Sequence, residues 1–256
     1  MSTTSIAVVN QKGGVGKTTS TVSMAACAAE VPGPGLRVLV VDMDPQGDST
    51  RWLRASDSER TVMDVLRETS SVAEAITDTE IPGLRILPAG RAQLSAEREL
   101  GSDPGAQLIL SGALDTVRDD YDLIMFDCPP ALGLLTINAL VAAERVLVPV
   151  AMGPMEIDAV AALMPTVQMV TRRLNPQLDI GGLLPIRVRS RHNMSRDVVT
   201  ALTNRFGDRV LPGIRDTVRV VAAAAAQQPI TTFAPTDDVT DDYRAATNAL
   251  LERTRA

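Results

Sequence analysis

The stretch Asn10-Gln11-Lys12-Gly13-Gly14-Val15-Gly16-Lys17-Thr18-Thr19 follows an apolar run at 6–9 and opens a helical pattern of small residues. A glycine-rich turn between strand and helix lets the backbone wrap a phosphate with its amides, and the helix N-terminus adds its dipole and free N–H groups. In such a loop Lys17 neutralises the β- and γ-phosphates of a nucleotide, and Thr18 offers its hydroxyl to Mg2+. The standard spacing asks for glycine five positions before Gly16, where Gln11 stands. Lys12 brings a second cation to the loop instead. The bland alternative is a glycine turn with no ligand, and the placement between strand and helix argues against it.

Outward from that loop, apolar runs alternate with longer helical patterns along the chain. Strands are expected at 6–9, 36–41, 84–87, 123–126, 145–150, 180–186 and 210–214. Helices are expected near 18–30, 61–76, 104–118, 132–143, 157–174, 194–206, 216–227 and 238–254. Continuous Val/Ile/Leu strands without polar alternation suit a sheet covered on both faces. Strand–helix alternation throughout argues for an α/β fold, a doubly wound, mostly parallel sheet with helices on both faces. Pro32-Gly33-Pro34-Gly35 reads as a turn, because the pattern resumes at once. One domain over 1–256 is the economical reading.

Composition narrows the function. The chain has 25 basic and 31 acidic side chains, a net charge of −6, and only two of the basic residues are lysines, Lys12 and Lys17. Apolar stretches break before the length a bilayer needs, so no membrane span is expected. Ser2-Thr3-Thr4 carries no basic leader segment, and the chain reads as cytoplasmic. Cys27, Cys128 and the lone His192 make neither a disulfide framework nor a metal site. Six aromatic residues leave little for single-strand stacking platforms.

Lys12-Gly13-Gly14-Val15-Gly16-Lys17-Thr18 resembles the deviant Walker A motif of the ParA/MinD superfamily. Asp42-Met43-Asp44-Pro45-Gln46-Gly47 is similar to that family's switch motif. Tyr121-Asp122-Leu123-Ile124-Met125-Phe126-Asp127-Cys128-Pro129-Pro130 resembles its Walker B strand. Leu132-Gly133-Leu134-Leu135-Thr136-Ile137-Asn138-Ala139-Leu140 continues the likeness to chromosomal and plasmid ParA proteins of the short, Soj-like kind. The resemblance, running from residue 5 to about residue 250, implies a P-loop NTPase fold with ATP and Mg2+ as cofactors. It also implies an ATP-dependent homodimer, a nucleotide sandwich in which Lys12 reaches the partner's phosphates. Lys12, Lys17 and Asp44 are then the catalytic set, with Asp44 orienting the attacking water. Lys12, Gly13, Gly14, Val15, Gly16, Lys17, Thr18 and Thr19 hold the nucleotide. Thr18, Asp42 and Asp127 serve the metal: Asp127 acts through water, and Asp42 supports the metal's shell or the loop. Against this, Asp127 could cap the following turn, and Asp42 and Asp44 could be helix N-caps. Cys128 reads as small and buried.

Charge is uneven. From Arg187 to Arg219 there are eight arginines against three aspartates, or +5, which leaves −11 for the remainder. A local basic patch suffices to release counterions from phosphates. Arg187, Arg189 and Arg191 lie where one strand ends, and Arg215 and Arg219 where the next one enters a helix. The two groups should therefore converge. In the ParA resemblance, Arg191 and Arg219 match positions that contact DNA, with Arg189, Arg196 and Arg244 as weaker candidates; the alternative is a solvated arginine face. The chain departs from the family at Arg187, at Arg215-Asp216-Thr217 and at Val221-Ala222-Ala223-Ala224, segments that border the adenine and the dimer face. Arg187 and Arg215 are accordingly expected to flank the adenine ring by guanidinium stacking.

The leading expectation is a partitioning ATPase, cytoplasmic and nucleoid-associated. Its ATP-bound dimer holds double-stranded DNA without sequence preference, and a ParB-like activator stimulates slow hydrolysis and release of plasmid or chromosome cargo. A MinD-like membrane-cycling ATPase is one alternative, although the tail from Asn248 to Ala256 is short and aromatic-free. A positioner of protein cargo such as carboxysomes shares every motif. A nitrogenase-like iron protein lacks its cluster cysteines. A nucleotide-gated DNA scaffold without turnover is the non-enzymatic reading.

Overall fold

Runs of β-branched and leucine residues that are buried at every position make the central strands, as in β1 (Thr4–Val8), β2 (Val38–Asp42) and β5 (Leu123–Asp127). The computed structural model describes residues 3–30, 35–55, 58–153, 156–189 and 193–255. Between β1 and β2 runs α1 (Lys17–Ala29). After β2 come α2 (Asp48–Trp52), α3 (Val62–Leu66), α4 (Val72–Ala75), β3 (Thr77–Asp78) and β4 (Leu84–Leu87). Then α5 (Ala96–Leu100) and α6 (Ile109–Leu114) precede β5, and α7 (Leu134–Ala142) leads to β6 (Arg145–Ala151). The chain continues through α8 (Glu156–Arg173), β7 (Asp179–Ile186), α9 (Asn193–Phe206), α10 (Val218–Ala225), α11 (Ile230–Phe233) and α12 (Asp238–Arg255).

The strands form one sheet in the order β3-β4-β2-β5-β1-β6-β7, parallel throughout except for the antiparallel pair β3–β4. Successive residues of a strand feed opposite faces, so the core is two layers. Ala7, Leu39, Ile124, Phe126 and Val148 pack under α3 to α9, while Ile6, Val8, Val40, Met125 and Leu147 pack under α1, α2 and α10 to α12. This is the doubly wound α/β architecture of P-loop NTPases.

Three expectations need correction. Residues 210–214 are not a strand: Val210 and Arg215 make isolated parallel bridges to Leu183 and Val188. Pro212 between them has no N–H to extend a ladder, and a side chain at Gly213 would strike Val188 at 2.9 Å. The helix expected at 61–76 is two short ones. Glu68 turns to φ +57, the Thr69 and Ser70 amides bond back to the Asp64 carbonyl, and Ser71 caps α4. The helix expected at 104–118 is regular only over Ile109–Leu114, with 3-10 turns at Ala106–Leu108 and Arg118–Asp120. The short elements α2, α4, α5, β3 and α11 lack the length to show a period.

Candidate functional site

The loop after β1 lies at the carboxyl end of the sheet and is fastened to it. The Asn10 side chain donates to the Pro149 carbonyl (2.8 Å) and accepts from the Lys12 amide (2.9 Å). Gly14 (φ +71) and Gly16 (φ +76) are left-handed, a conformation that side chains disfavour. No atom lies within 4 Å of where side chains at Gly13 or Gly14 would begin, so the loop presents bare backbone to an open space. That space, about 420 Å3, is bordered by Gly13, Gly14, Lys17, Thr18, Asp44 and Arg187 among others. Lys17 is buried and its ammonium donates to the Lys12 carbonyl at 3.2 Å. Burial lowers its pKa, against the pull of Asp127 and Asp44. A bare amide cradle, a buried ammonium and the opening turn of a 13-residue helix together fit a phosphate chain.

Asp42 and Asp127 end adjacent strands and sit side by side in register. One oxygen of Asp42 accepts from the Thr50 amide (2.8 Å) and hydroxyl (2.6 Å), and the other from the Asp44 amide (3.2 Å). Its bonds are spent on the 42–50 segment, which is the loop-supporting alternative of the two considered for it. Asp127 accepts from the Ser49 hydroxyl at 2.7 Å and from Thr21 at 3.4 Å. Burial raises its pKa to about 6, with the Ser49 and Thr18 hydroxyls pulling it back down. A buried carboxyl beside the Thr18 hydroxyl, which itself borders the open space, has the donor chemistry for a hydrated Mg2+. Asp44 is half-buried at the rim and accepts from the Gln46 amide (2.9 Å). None of the three caps a helix, since Gly47 occupies the N-cap of α2 and Gly133 that of α7. Ser49 and Thr50 were not singled out from the sequence, yet they clasp the two buried carboxylates from consecutive positions of α2.

Lys12 is exposed and turned away from Lys17. Its ammonium meets Glu156 Oε1 at 2.5 Å. Glu156 opens α8 and is 3% exposed. No local pattern marks it, because its partner lies 144 positions earlier in the chain.

A second cavity of about 220 Å3 adjoins the loop at Gly16 and Thr19. Ile186, Ile214, Val220, Ala224 and Tyr243 give it apolar walls, and Arg187 and Arg215 both border it. The structure thus brings together the two arginines expected beside the adenine. Arg187 (φ +57) donates to the Gly14 carbonyl at 3.0 Å, and Arg215 is held by Asp242 (2.7 Å) and Asp238 (2.6 Å).

The two arginine groups converge as expected. Val188 bridges Arg215, and Arg189 pairs with Asp216 at 2.5 Å. The surroundings differ from the expectation of a bare basic face. Arg219 faces Asp237 at 3.4 Å, and Arg244 faces Asp241 at 3.0 Å and Glu30 at 3.8 Å. Glu30 lies at the end of α1 remote from the phosphate loop, so Arg244 stands apart from the cavity arginines. From 187 to 244 the count is nine arginines against seven aspartates, close to balance. Arg196 is exposed on α9, and Arg191 lies outside the described residues.

Residues 3–180 match the family model described as an AAA domain. The sporulation initiation inhibitor protein Soj of Bacillus subtilis is 39% identical over 90% of this chain and 91% of its own. This chain belongs to the ParA/MinD family. The chromosome partitioning protein ParA of Caulobacter vibrioides is 36% identical over 88% of this chain and 85% of its own. Among solved structures, cobyrinic acid a,c-diamide synthase from Mycobacterium smegmatis with bound ATP analog and magnesium superposes with a TM-score of 0.85. It is 32% identical and covers 99% of this chain and 96% of that one. The phosphate loop and Asp44 border one open space, the apolar cavity adjoins the loop at Gly16 and Thr19, and Asp42 and Asp127 lie buried at the ends of β2 and β5. Among the described residues, no helix is long and apolar enough to cross a membrane.

Proposed function

We propose that the chain acts over residues 1–256 as one Mg2+-dependent ATPase of the ParA type, cytoplasmic and nucleoid-associated. Its ATP-bound homodimer holds double-stranded DNA without sequence preference, and hydrolysis stimulated by a ParB-like activator releases it. Plasmid or chromosome cargo at a ParB–centromere complex is moved by that cycle. The observation that supports this reading is the contrast between the lysines, with Lys17 buried under its own phosphate loop and Lys12 exposed, its ammonium resting on Glu156.

Phosphoryl transfer asks for positioned charge more than for covalent chemistry. The amides from Gly13 to Thr19 cradle the phosphates, and Lys17 holds their charge in a desolvated setting. Thr18 and Asp127 are the residues that would hold Mg2+, which when bound would supply positive charge against the charge developing on the phosphates. Ser49 fixes the Asp127 carboxylate, and Asp42 fixes the segment bearing Asp44. Asp44, at the rim, is placed to orient a water toward the phosphate. Lys12 supplies its cation across the dimer. Arg187 and Arg215 border the base through their guanidinium faces.

DNA is held by Arg189, Arg191, Arg196 and Arg219, with Arg244 as an outlying contact. The ion pairs of Arg189 and Arg219 with aspartates, and of Arg244 with Asp241 and Glu30, lie at the surface and are individually weak, so a dense row of phosphates can take them over. The MinD-like alternative is less well supported, because the apolar face of α12 (Val239, Tyr243, Ala246, Leu250) is already buried in the core layer beneath α1. Protein cargo such as carboxysomes fits the same ATPase core. The deciding experiment measures DNA binding with ATP, with ADP and without nucleotide, alongside phosphate release with and without DNA. Binding that requires ATP is expected, and equal affinity in all three states would overturn the reading. Phosphate release undetectable under every condition would leave a nucleotide-gated scaffold, and ATP-dependent flotation with liposomes would favour membrane cycling.

A further inference from the structure

Glu156 is a carboxylate buried almost completely at the first position of α8, and it touches the lysine that the dimer needs. Its Oε1 lies 2.5 Å from Lys12 Nζ. Its Oε2 is buried with no hydrogen-bond partner among the described residues. A buried carboxylate resting on one cation holds that cation firmly, because separation strands a desolvated charge.

We propose that Glu156 is a positioning residue that withholds Lys12 in the nucleotide-free chain. This rests on the sandwich-dimer reading, in which Lys12 serves the partner's phosphates. The amine cannot do that while it is bound in cis to Glu156. Dimerisation then requires an anion strong enough to draw Lys12 off, and a triphosphate presented by a second copy meets that need better than a diphosphate. The carboxylate is not left without a cation in reach: Arg187 and Arg189 border the same cavity of about 310 Å3 that Glu156 lines. Arg187 also bonds the phosphate loop at Gly14, so its position registers the state of that loop.

The composition supplies a direct probe. With only Lys12 and Lys17 in the chain, and Lys17 buried, Lys12 is the accessible lysine, and mass spectrometry of peptides after an amine-reactive reagent separates its labelling from that of the α-amine. Glu156→Gln in the full chain without nucleotide is expected to speed Lys12 labelling about five-fold, the scale of an exchangeable ion pair, with Lys17 labelling unchanged. Sedimentation should show the variant dimerising at several-fold lower ATP and partly with ADP. Glu156→Asp, which keeps the charge and retracts it by one methylene, should fall between the two and covers the case in which the glutamine variant does not fold. Equal Lys12 labelling in all three proteins would overturn the proposal. So would a Glu156→Gln variant that needs more ATP to dimerise. If the wild type itself fails to dimerise with ATP, the sandwich reading falls, and the labelling comparison still decides whether Glu156 holds Lys12.

Discussion

Lys17 lies buried beneath its loop, facing carboxylates from two neighbouring strands, whereas Arg189, Arg215 and Arg219 lie exposed and each already meets an aspartate. In the proposed function Lys17 and the arginines Arg189 and Arg219 both meet phosphates, of the nucleotide and of DNA respectively. In the first the charge is desolvated and fixed by the sheet, so its interactions are strong and have few substitutes. In the second it is solvated and paired with partners that exchange freely, each pair contributing about 0–1 kcal/mol. The buried region suits chemistry that must happen at one point. The exposed region suits a polyanion gripped at many points and released.

The largest break in that contrast comes from Lys17→Ala, which should lower ATP turnover by on the order of 100-fold or more, measured as phosphate release. No single arginine variant should approach that figure. Ser49→Ala comes next. It strips Asp127 of a buried donor and should cost about 1–3 kcal/mol in denaturant unfolding, while the same change at exposed Ser102 should be near neutral.

Asp127 sharpens the comparison through pH. Its folded pKa, pushed up to about 6, lies above the ordinary carboxylate value of 3.8, so the folded chain binds more protons than the unfolded chain in between. Stability of the nucleotide-free protein should therefore fall as pH rises from about 4 to about 6, and Asp127→Asn should flatten that slope in thermal unfolding. Arg219→Ala should lower DNA affinity a few-fold, with the slope of log affinity against log salt reduced by about 1. The smallest expected effect is a gain: Asp237→Ala, by freeing Arg219, should raise DNA affinity about two-fold.

The buried region was also the more legible one. Continuous apolar runs marked the strands on both sides of the phosphate loop, because strands covered on two faces have no polar alternation to hide them. The strand pattern put Lys12, Lys17, Asp42, Asp44 and Asp127 at or just past strand ends, and the resemblance to ParA/MinD motifs assigned them to one site. The clasp by Ser49 and Thr50 could not be read, since two hydroxyls in a five-residue helix carry no period. Glu156 was invisible because its meaning depends on Lys12, far away in the chain. The arginine segment misled in a different way. A window ending at Arg219 stops short of Asp237, Asp238, Asp241 and Asp242, which the fold returns to the same place. At 210–214 apolar residues suggested a strand, yet Pro212 interrupts the backbone bonds on which strand identity depends.

The margins of the sheet remain. On one side β3 is only two residues long, and Asp78 there pairs with Arg85. On the other, β7 contains Pro185, and its main chain receives the Leu211 and Ile214 amides at 2.9 and 2.8 Å. A parallel sheet with a long bare margin is a template onto which further copies can add strand by strand. Here that route to fibres is blunted at both ends. In the proposed cycle, many copies can then crowd along one polyanion, and their mutual recognition is left to the end of the sheet that carries the phosphate loop.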